Sequence, residues 1–226
     1  MKLVYANYGM EIPLLENQNT VVVVENQKAY AEILEALWNQ TNGGSSITGF
    51  ILSQDEKIKD ITKEVEYIFN PFAVDCNSKR VLSKLYSELQ EMVNINLLQE
   101  LTEVNQELVN FLDEVIYQVP YPLEFELDLN FQSLLKLYQV KVDIGAGDLL
   151  ERIIEYLKVM HRICNVRIYV FVGLKQYLQE QEFQQLYEFA AYEKLFLIML
   201  EGRESFRLDN EKYWILDKDL CIIEPN

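Results

Sequence analysis

Apolar residues recur along this chain in three different rhythms. Near the start, Val21–Val24 is a run of four β-branched residues, the pattern of a strand buried on both faces. From Gln27 to about Asn39 the apolar positions Tyr30, Ile33, Leu34 and Leu37 fall at helical spacing, and Asn26 supplies an N-cap. Asn42-Gly43-Gly44-Ser45-Ser46 predicts a loop, and Ile47–Leu52 predicts a second strand. Strand, helix, strand is the opening of an α/β sheet.

The middle has a different period. Ser78 to Met92 predicts a helix, with Leu82, Leu85, Leu89 and Met92 on one face and Asp75 or Asn77 as its cap. A second helix carries Leu97, Leu101, Val104, Leu108, Phe111 and Val115 at alternating spacings of four and three, a coiled-coil-like seam that Pro120 and Pro122 stop. The pair predicts a helical hairpin projecting from the α/β body; two core helices of one compact domain is the alternative.

The last part returns to α/β. Val140–Asp143 predicts a short strand ahead of a Gly145/Gly147 turn. Asp148 then starts a helix with Leu150, Ile153, Leu157, Met160 and Cys164 on one face. Arg167–Gly173 and Lys194–Leu200 predict buried strands separated by a helix from Gln181 to Tyr192. Tyr213–Leu216 and Leu220–Ile223 predict a closing pair around an Asp217-Lys218-Asp219 turn. Buried strands alternating with helices imply right-handed parallel crossovers. The expected fold class is therefore α/β: a mostly parallel-sheet head from residues 1–55 and 138–226, with residues 56–137 as an inserted helical leg.

Composition narrows the chemistry. The chain has 226 residues, half of them hydrophobic, enough for a substantial core. No apolar run is long enough to span a bilayer, so no membrane partner is expected, and the first residues lack the pattern of a secretory leader. Cys76, Cys164 and Cys221 are scattered and form no CxxC; together with the lone His161 they point to a reducing cytoplasm rather than to a disulfide or zinc framework.

The net charge of −16 opposes nucleic acid. No lysine or arginine lies between Leu85 and Leu135, where ten acidic residues do. Basic residues gather instead at Lys79, Arg80 and Lys84, and at Lys158 and Arg162, which are four apart near a helix C-terminus. The second pair also has a local explanation, attraction to the helix dipole of roughly 0.3–1 kcal/mol each.

An α/β sheet raises the question of nucleotides. Gly44-Ser45-Ser46-Ile47-Thr48-Gly49-Phe50 has glycines near phosphate-loop spacing, but Phe50 and Ile51 stand where Lys and Ser or Thr must reach phosphate and magnesium. No GxSxG elbow exists, and no partner is spaced to orient His161 as a base. In Leu123-Glu124-Phe125-Glu126-Leu127-Asp128, extended geometry would put Glu124, Glu126 and Asp128 on one face. Such a face is either a hard-oxygen site suited to calcium or the solvated side of an edge strand.

Several segments, in order and over nearly the whole chain, resemble the Csn-type accessory adaptation proteins of type II-A CRISPR systems. They are Glu11-Ile12-Pro13-Leu14; Asn70-Pro71-Phe72-Ala73-Val74-Asp75-Cys76-Asn77-Ser78 ahead of the leg helix; and Gln139-Val140-Lys141-Val142-Asp143 through Leu149–Ile154 to Ile168–Val172. Leu200-Glu201-Gly202-Arg203-Glu204 and Ile215-Leu216-Asp217-Lys218-Asp219 complete the set. The resemblance implies a head shaped like P-loop proteins but without a working nucleotide site, and a helical leg inserted into it. It implies a non-enzymatic homotetrameric ring, stabilised by calcium, that threads linear double-stranded DNA during spacer acquisition in antiviral defence. Its partners would be the other CRISPR adaptation proteins and the effector nuclease. Carried onto this sequence, calcium would fall to Glu124, Glu126 and Asp128, and DNA to Lys79, Arg80, Lys84, Lys141, Lys158 and Arg162. The sequence departs at Asn130-Phe131-Gln132, where relatives are more acidic. The rival expectation is a protein–protein adaptor that docks partners on its helical arm and binds no DNA.

Overall fold

The computed structural model describes residues 1–44 and 49–223. Part of the phosphate-loop-like stretch and the start of the strand expected at Ile47 fall outside the described residues. In chain order the elements are β1 (Lys2–Tyr5), β2 (Met10–Pro13), β3 (Asn19–Val24), α1 (Gln27–Thr41), β4 (Phe50–Gln54), β5 (Lys57–Lys59), α2 (Ile61–Glu64) and β6 (Val65–Ile68). They continue as α3 (Lys79–Asn96), α4 (Leu98–Ile116), α5 (Phe131–Leu137), α6 (Leu149–Cys164), β7 (Ile168–Val172), α7 (Glu180–Tyr192), β8 (Phe196–Glu201), β9 (Glu211–Leu216) and β10 (Ile222–Ile223). The chain divides into two compact units, one of residues 1–76 with 144–226 and one of residues 77–143.

The first unit is built on a six-stranded sheet of order β10-β9-β3-β8-β7-β6. All its pairings are parallel except the closing β9–β10 hairpin. All six residues of β3, all six of β8 and all five of β7 are buried, as a parallel sheet covered on both faces requires. Asn26 caps α1 by accepting from the backbone N–H groups of Lys28 and Ala29, and Asp148 with Glu151 forms a capping box at α6. Asp217 Oδ1 accepts from the N–H groups of Asp219 and Cys221, which fixes the last turn.

A second sheet, order β2-β1-β4-β5, is antiparallel throughout. It turns Leu3, Tyr5, Met10, Ile12, Phe50 and Leu52 into the same core as Val22, Ile33, Leu37, Val170 and Ile198. The strand expected after α1 thus pairs with β1 rather than with β3. Its alternating burial is that of a one-sided sheet, not of a parallel interior strand.

The second unit begins at Asn77, not at residue 56. β6 pairs in parallel with β7, so residues 65–68 belong to the main sheet, and the division falls at Asn77. Residues 138–143 lie in the second unit. No strand forms at 140–143; the side chain of Asn77 acts as a substitute ladder, accepting from Val142 N–H (2.8 Å) and donating to its carbonyl (3.1 Å). Tyr86 Oη donates to the Val140 carbonyl at 2.8 Å.

Within this unit the helical hairpin does not form. A single residue, Leu97 (φ −133°, ψ 23°), separates α3 from α4, too short a connection to reverse the chain. α3 buries Val81, Tyr86 and Val93, whereas α4 buries nothing.

Candidate functional site

The first turn of α3 carries the clearest exposed basic group. Ser78, not Asp75 or Asn77, is the N-cap; its hydroxyl accepts from Val81 N–H at 3.4 Å. Asn77 is occupied with Val142 and leaves the cap to its neighbour. Lys79 and Arg80 occupy the first two helical positions and Lys84 lies just over a turn further on, all exposed. Positive charge at a helix N-terminus opposes the dipole by roughly 0.3–1 kcal/mol per group. An anion held outside the helix would interact with both side chains and with the dipole. The Asn77–Val142 hydrogen bonds bring exposed Lys141 beside the start of α3, so the sequence-distant Lys141 joins Lys79 and Arg80 in one neighbourhood.

Lys158 and Arg162 lie in the other unit, on α6, and are already engaged. Lys158 Nζ is 2.6 Å from Glu155 and stands 5.8 Å over the Phe189 ring; Arg162 is 3.3 Å from Glu193. Exposed pairs of this kind are worth about 0–1 kcal/mol, which a phosphate could displace.

The three carboxylates expected to hold calcium do not gather. Residues 122–126 are irregular rather than a strand, and Glu124, Glu126 and Asp128 are all exposed. Leu123 and Leu127 are exposed as well, so the two-residue alternation never sorts into an apolar and a polar face. Pro120 and Pro122 remove two ladder donors just before the segment, and Asn105 Nδ2 donates to the Leu127 carbonyl at 2.8 Å. Among the described residues no group of three or more His, Cys, Asp or Glu is placed to hold a metal ion. These carboxylates do not fit calcium within one chain.

Sequence reasoning missed a buried charged centre in the first unit. Lys175, in the 3-10 turn after β7, points its amine at both oxygens of Glu211 on β9 (2.6 and 2.8 Å), and both side chains are fully buried. The amine also donates to the Phe206 carbonyl (2.8 Å) and meets Tyr213 Oη (3.1 Å), and it lies 4.6 Å over the Phe206 ring. Glu211 further accepts from Tyr187 Oη (2.6 Å) and from Leu208 N–H (2.9 Å). Glu201, at the end of β8, accepts from Lys175 N–H at 3.0 Å, yet burial pushes its carboxyl up to about 7. Burial likewise lowers the pKa of the Lys175 amine. A buried lysine beside two carboxylates has the chemistry of a catalytic cluster. Here both side chains are closed to solvent, and their bonds tie the 202–210 crossover to β7, β9 and α7. Only Glu201, inside one of the quoted resemblance segments, offered a hint.

Among the described residues no helix is long and apolar enough to cross a membrane. The fold is similar at low identity to ATP-binding cassettes of ABC transporters. One in its ADP conformation is 12% identical, with a TM-score of 0.45, over 93% of this chain and 80% of that one. A putative ABC transporter ATP-binding protein from Pyrococcus furiosus is 9% identical, with a TM-score of 0.40, over 91% and 88%. Both are too distant to bear on function. In sequence, the chain is 22% identical to the CRISPR-associated protein Csn2 of Enterococcus faecalis over 219 residues, 94% of each chain. Residues 44–220 match the family described as CRISPR-associated protein (Cas_Csn2), so the chain belongs to the Csn2 family of CRISPR adaptation proteins.

Proposed function

We propose that this protein binds linear double-stranded DNA without sequence preference, catalyses no reaction, and does so as a ring of four copies during spacer acquisition in the cytoplasm. The observation that carries this reading is the family match across residues 44–220. The basic group at the start of α3 supports it, because Lys79 and Arg80 are exposed and the Asn77–Val142 contact brings exposed Lys141 near them on a strongly acidic chain. A single copy with a net charge of −16 repels DNA at long range. A closed ring multiplies the patch and focuses its field inward, which makes binding strongly dependent on salt. Lys84, Lys158 and Arg162 are the further contacts of this reading. Calcium enters through assembly in this reading: among the described residues no three carboxylates gather, so Glu124, Glu126 and Asp128 would find the remaining ligands on a neighbouring copy. Other adaptation proteins and the effector nuclease are the expected partners.

A second reading rests on α4. It exposes Val104, Leu108, Phe111 and Val115 between 40% and 61%, an apolar stripe that suits an adaptor docking another protein without DNA.

Gel-shift binding of linear and covalently closed circular duplex, with calcium or chelator and at several salt concentrations, separates the two. Retention of linear DNA alone, lost with chelator and with salt, supports the ring. Retention of neither form removes the DNA reading and leaves the adaptor. Equal retention of both excludes loading from ends.

A further inference from the structure

Helix α4 carries an apolar stripe whose open flank holds charge of one sign. Val104, Leu108, Phe111 and Val115 follow one another at spacings of four, three and four, the seam of a helix that packs against another helix. All four are exposed, and α4 buries none of its side chains. At about 100° per residue, Leu101, Asn105 and Val109 lie to one side of this stripe, and they are half-buried. To the other side lie Glu100, Glu107 and Glu114, seven residues apart and all exposed. Each stands about 40–60° round the helix from a seam residue, the place from which a flanking charge meets a partner helix. Neighbouring polar side chains pair among themselves, Gln99 with Glu103 and Gln106 with Asn110, both at 3.0 Å. Among the described residues the side chains of Glu100, Glu107 and Glu114 have no ion pair and no hydrogen-bond partner.

An apolar seam does not by itself select what covers it; the glutamate row does. A second copy of α4 supplies no cation, because no lysine or arginine lies between Leu85 and Leu135. Packed antiparallel on its twin, α4 would set Glu against Glu. Packed parallel, it would set Glu against Leu98, Asn105 and Leu112. Neither arrangement neutralises the row, and the first is repulsive. A helix with the same apolar period and with lysine or arginine along its facing flank closes the stripe and pairs each glutamate. We propose that α4 docks a basic amphipathic helix of a different protein, with Val104, Leu108, Phe111 and Val115 as the seam and Glu100, Glu107 and Glu114 as the selecting charges. This rests on the second reading above, that α4 docks a protein, and names the chemistry of that protein.

The test uses the full chain and two fluorescein-labelled helical peptides of about three heptads each, read by anisotropy. Both carry leucine at the two seam positions. One has lysine and the other glutamate at the positions flanking the seam, so neither pairs well with itself. The lysine peptide is expected to bind the parent about tenfold or more tightly than the glutamate peptide. Glu100→Lys, Glu107→Lys and Glu114→Lys together should reverse that order. Glu16→Lys, Glu180→Lys and Glu188→Lys together change the net charge equally at exposed positions off α4, and should leave the order as it is. Phe111→Ser should weaken binding of the lysine peptide about tenfold. Circular dichroism checks that each variant is folded; every substituted side chain is exposed, so loss of fold is not expected. Reversal by the distant triple as well would reduce the preference to attraction by net charge and overturn the site. Equal affinity of the two peptides, both weakened by Phe111→Ser, would overturn the basic partner and leave α4 a docking face. Binding of neither peptide, or no response to Phe111→Ser, would overturn the proposal and the adaptor reading of α4 together. Self-association of the parent that Phe111→Ser abolishes and the lysine peptide does not displace would give the stripe to a second copy, and overturn the proposal too.

Discussion

The Lys175 centre and helix α4 treat burial in opposite ways. Around Lys175 the chain hides a full ion pair and then satisfies it completely: the amine has two carboxylate oxygens, a carbonyl and a tyrosine, and Glu211 accepts from four separate groups. On α4 it does the reverse, leaving Val104, Leu108, Phe111 and Val115 in solvent although they cost nothing to bury. The first region is finished within one chain. The second becomes finished only against something else. The charged centre and the exposed stripe thus lie in separate elements, and each can be perturbed without the other.

The largest effect is expected at Glu211. Glu211→Ala strands a buried ammonium and should cost about 3–5 kcal/mol in urea unfolding. Joining it to Lys175→Met should recover much of that loss, since a buried pair replaced by apolar groups is often nearly neutral. A tolerated Glu211→Ala would mean that the centre does not anchor the crossover, and would erase the contrast with α4.

The next effect depends on pH. The folded carboxyl of Glu201 titrates near 7, above its ordinary value of 4.5, because burial disfavours the charge. The folded state therefore holds this proton more tightly than the unfolded chain does. Its contribution favours folding at low pH, declines as pH rises from about 4.5 to 7, and is flat above that, a span of about 3 kcal/mol at most. Glu201→Gln keeps an acceptor for Lys175 N–H and should flatten this slope in unfolding curves taken between pH 4.5 and 7.5; an unchanged slope would assign it to other groups.

Asn77→Ala comes third. It removes both bonds to Val142 and should cost about 1–3 kcal/mol, seen as faster proteolysis within residues 138–147 while the far-ultraviolet spectrum is kept. The smallest change in stability, within about 0.5 kcal/mol for the isolated chain, is expected from Phe111→Ser. The same substitution should have a large effect on the assembled species in sedimentation velocity. If assembly survives it, the apolar stripe of α4 is not where copies or partners meet.

Several elements were legible because their signals are local. The β-branched run of β3, the Asn26 and Asp148 caps, the helical spacing of α1 and α6, and the Asp217 turn each lie within a few residues of what they specify. β1 and β2 also carry a local signal, buried Leu3 and Tyr5 then Met10 and Ile12 in alternation, but four residues are too few to separate it from chance. Residues 140–143 have strand composition and form none, since Asn77 from sixty-five residues away takes the bonds a neighbouring strand would have made. The basic patch was half legible: Lys79, Arg80 and Lys84 are adjacent in sequence, while Lys141 joins them only through that same contact.

By itself, then, the sequence determined the long helices α1, α3, α4, α6 and α7, though not the short α2 and α5, which strands are buried on both faces, where several of these elements start, and to which family the chain belongs. Short-range sterics, capping and hydrophobic period act over a single element, and family resemblance needs only order along the chain. The tertiary structure alone decided that β4 joins a second sheet and that β6 closes the first. It also decided that Lys175, Glu201 and Glu211 share one buried centre and that Glu124, Glu126 and Asp128 share none. Each of these depends on which distant segments meet, and a charge or a strand carries no local mark of its partner.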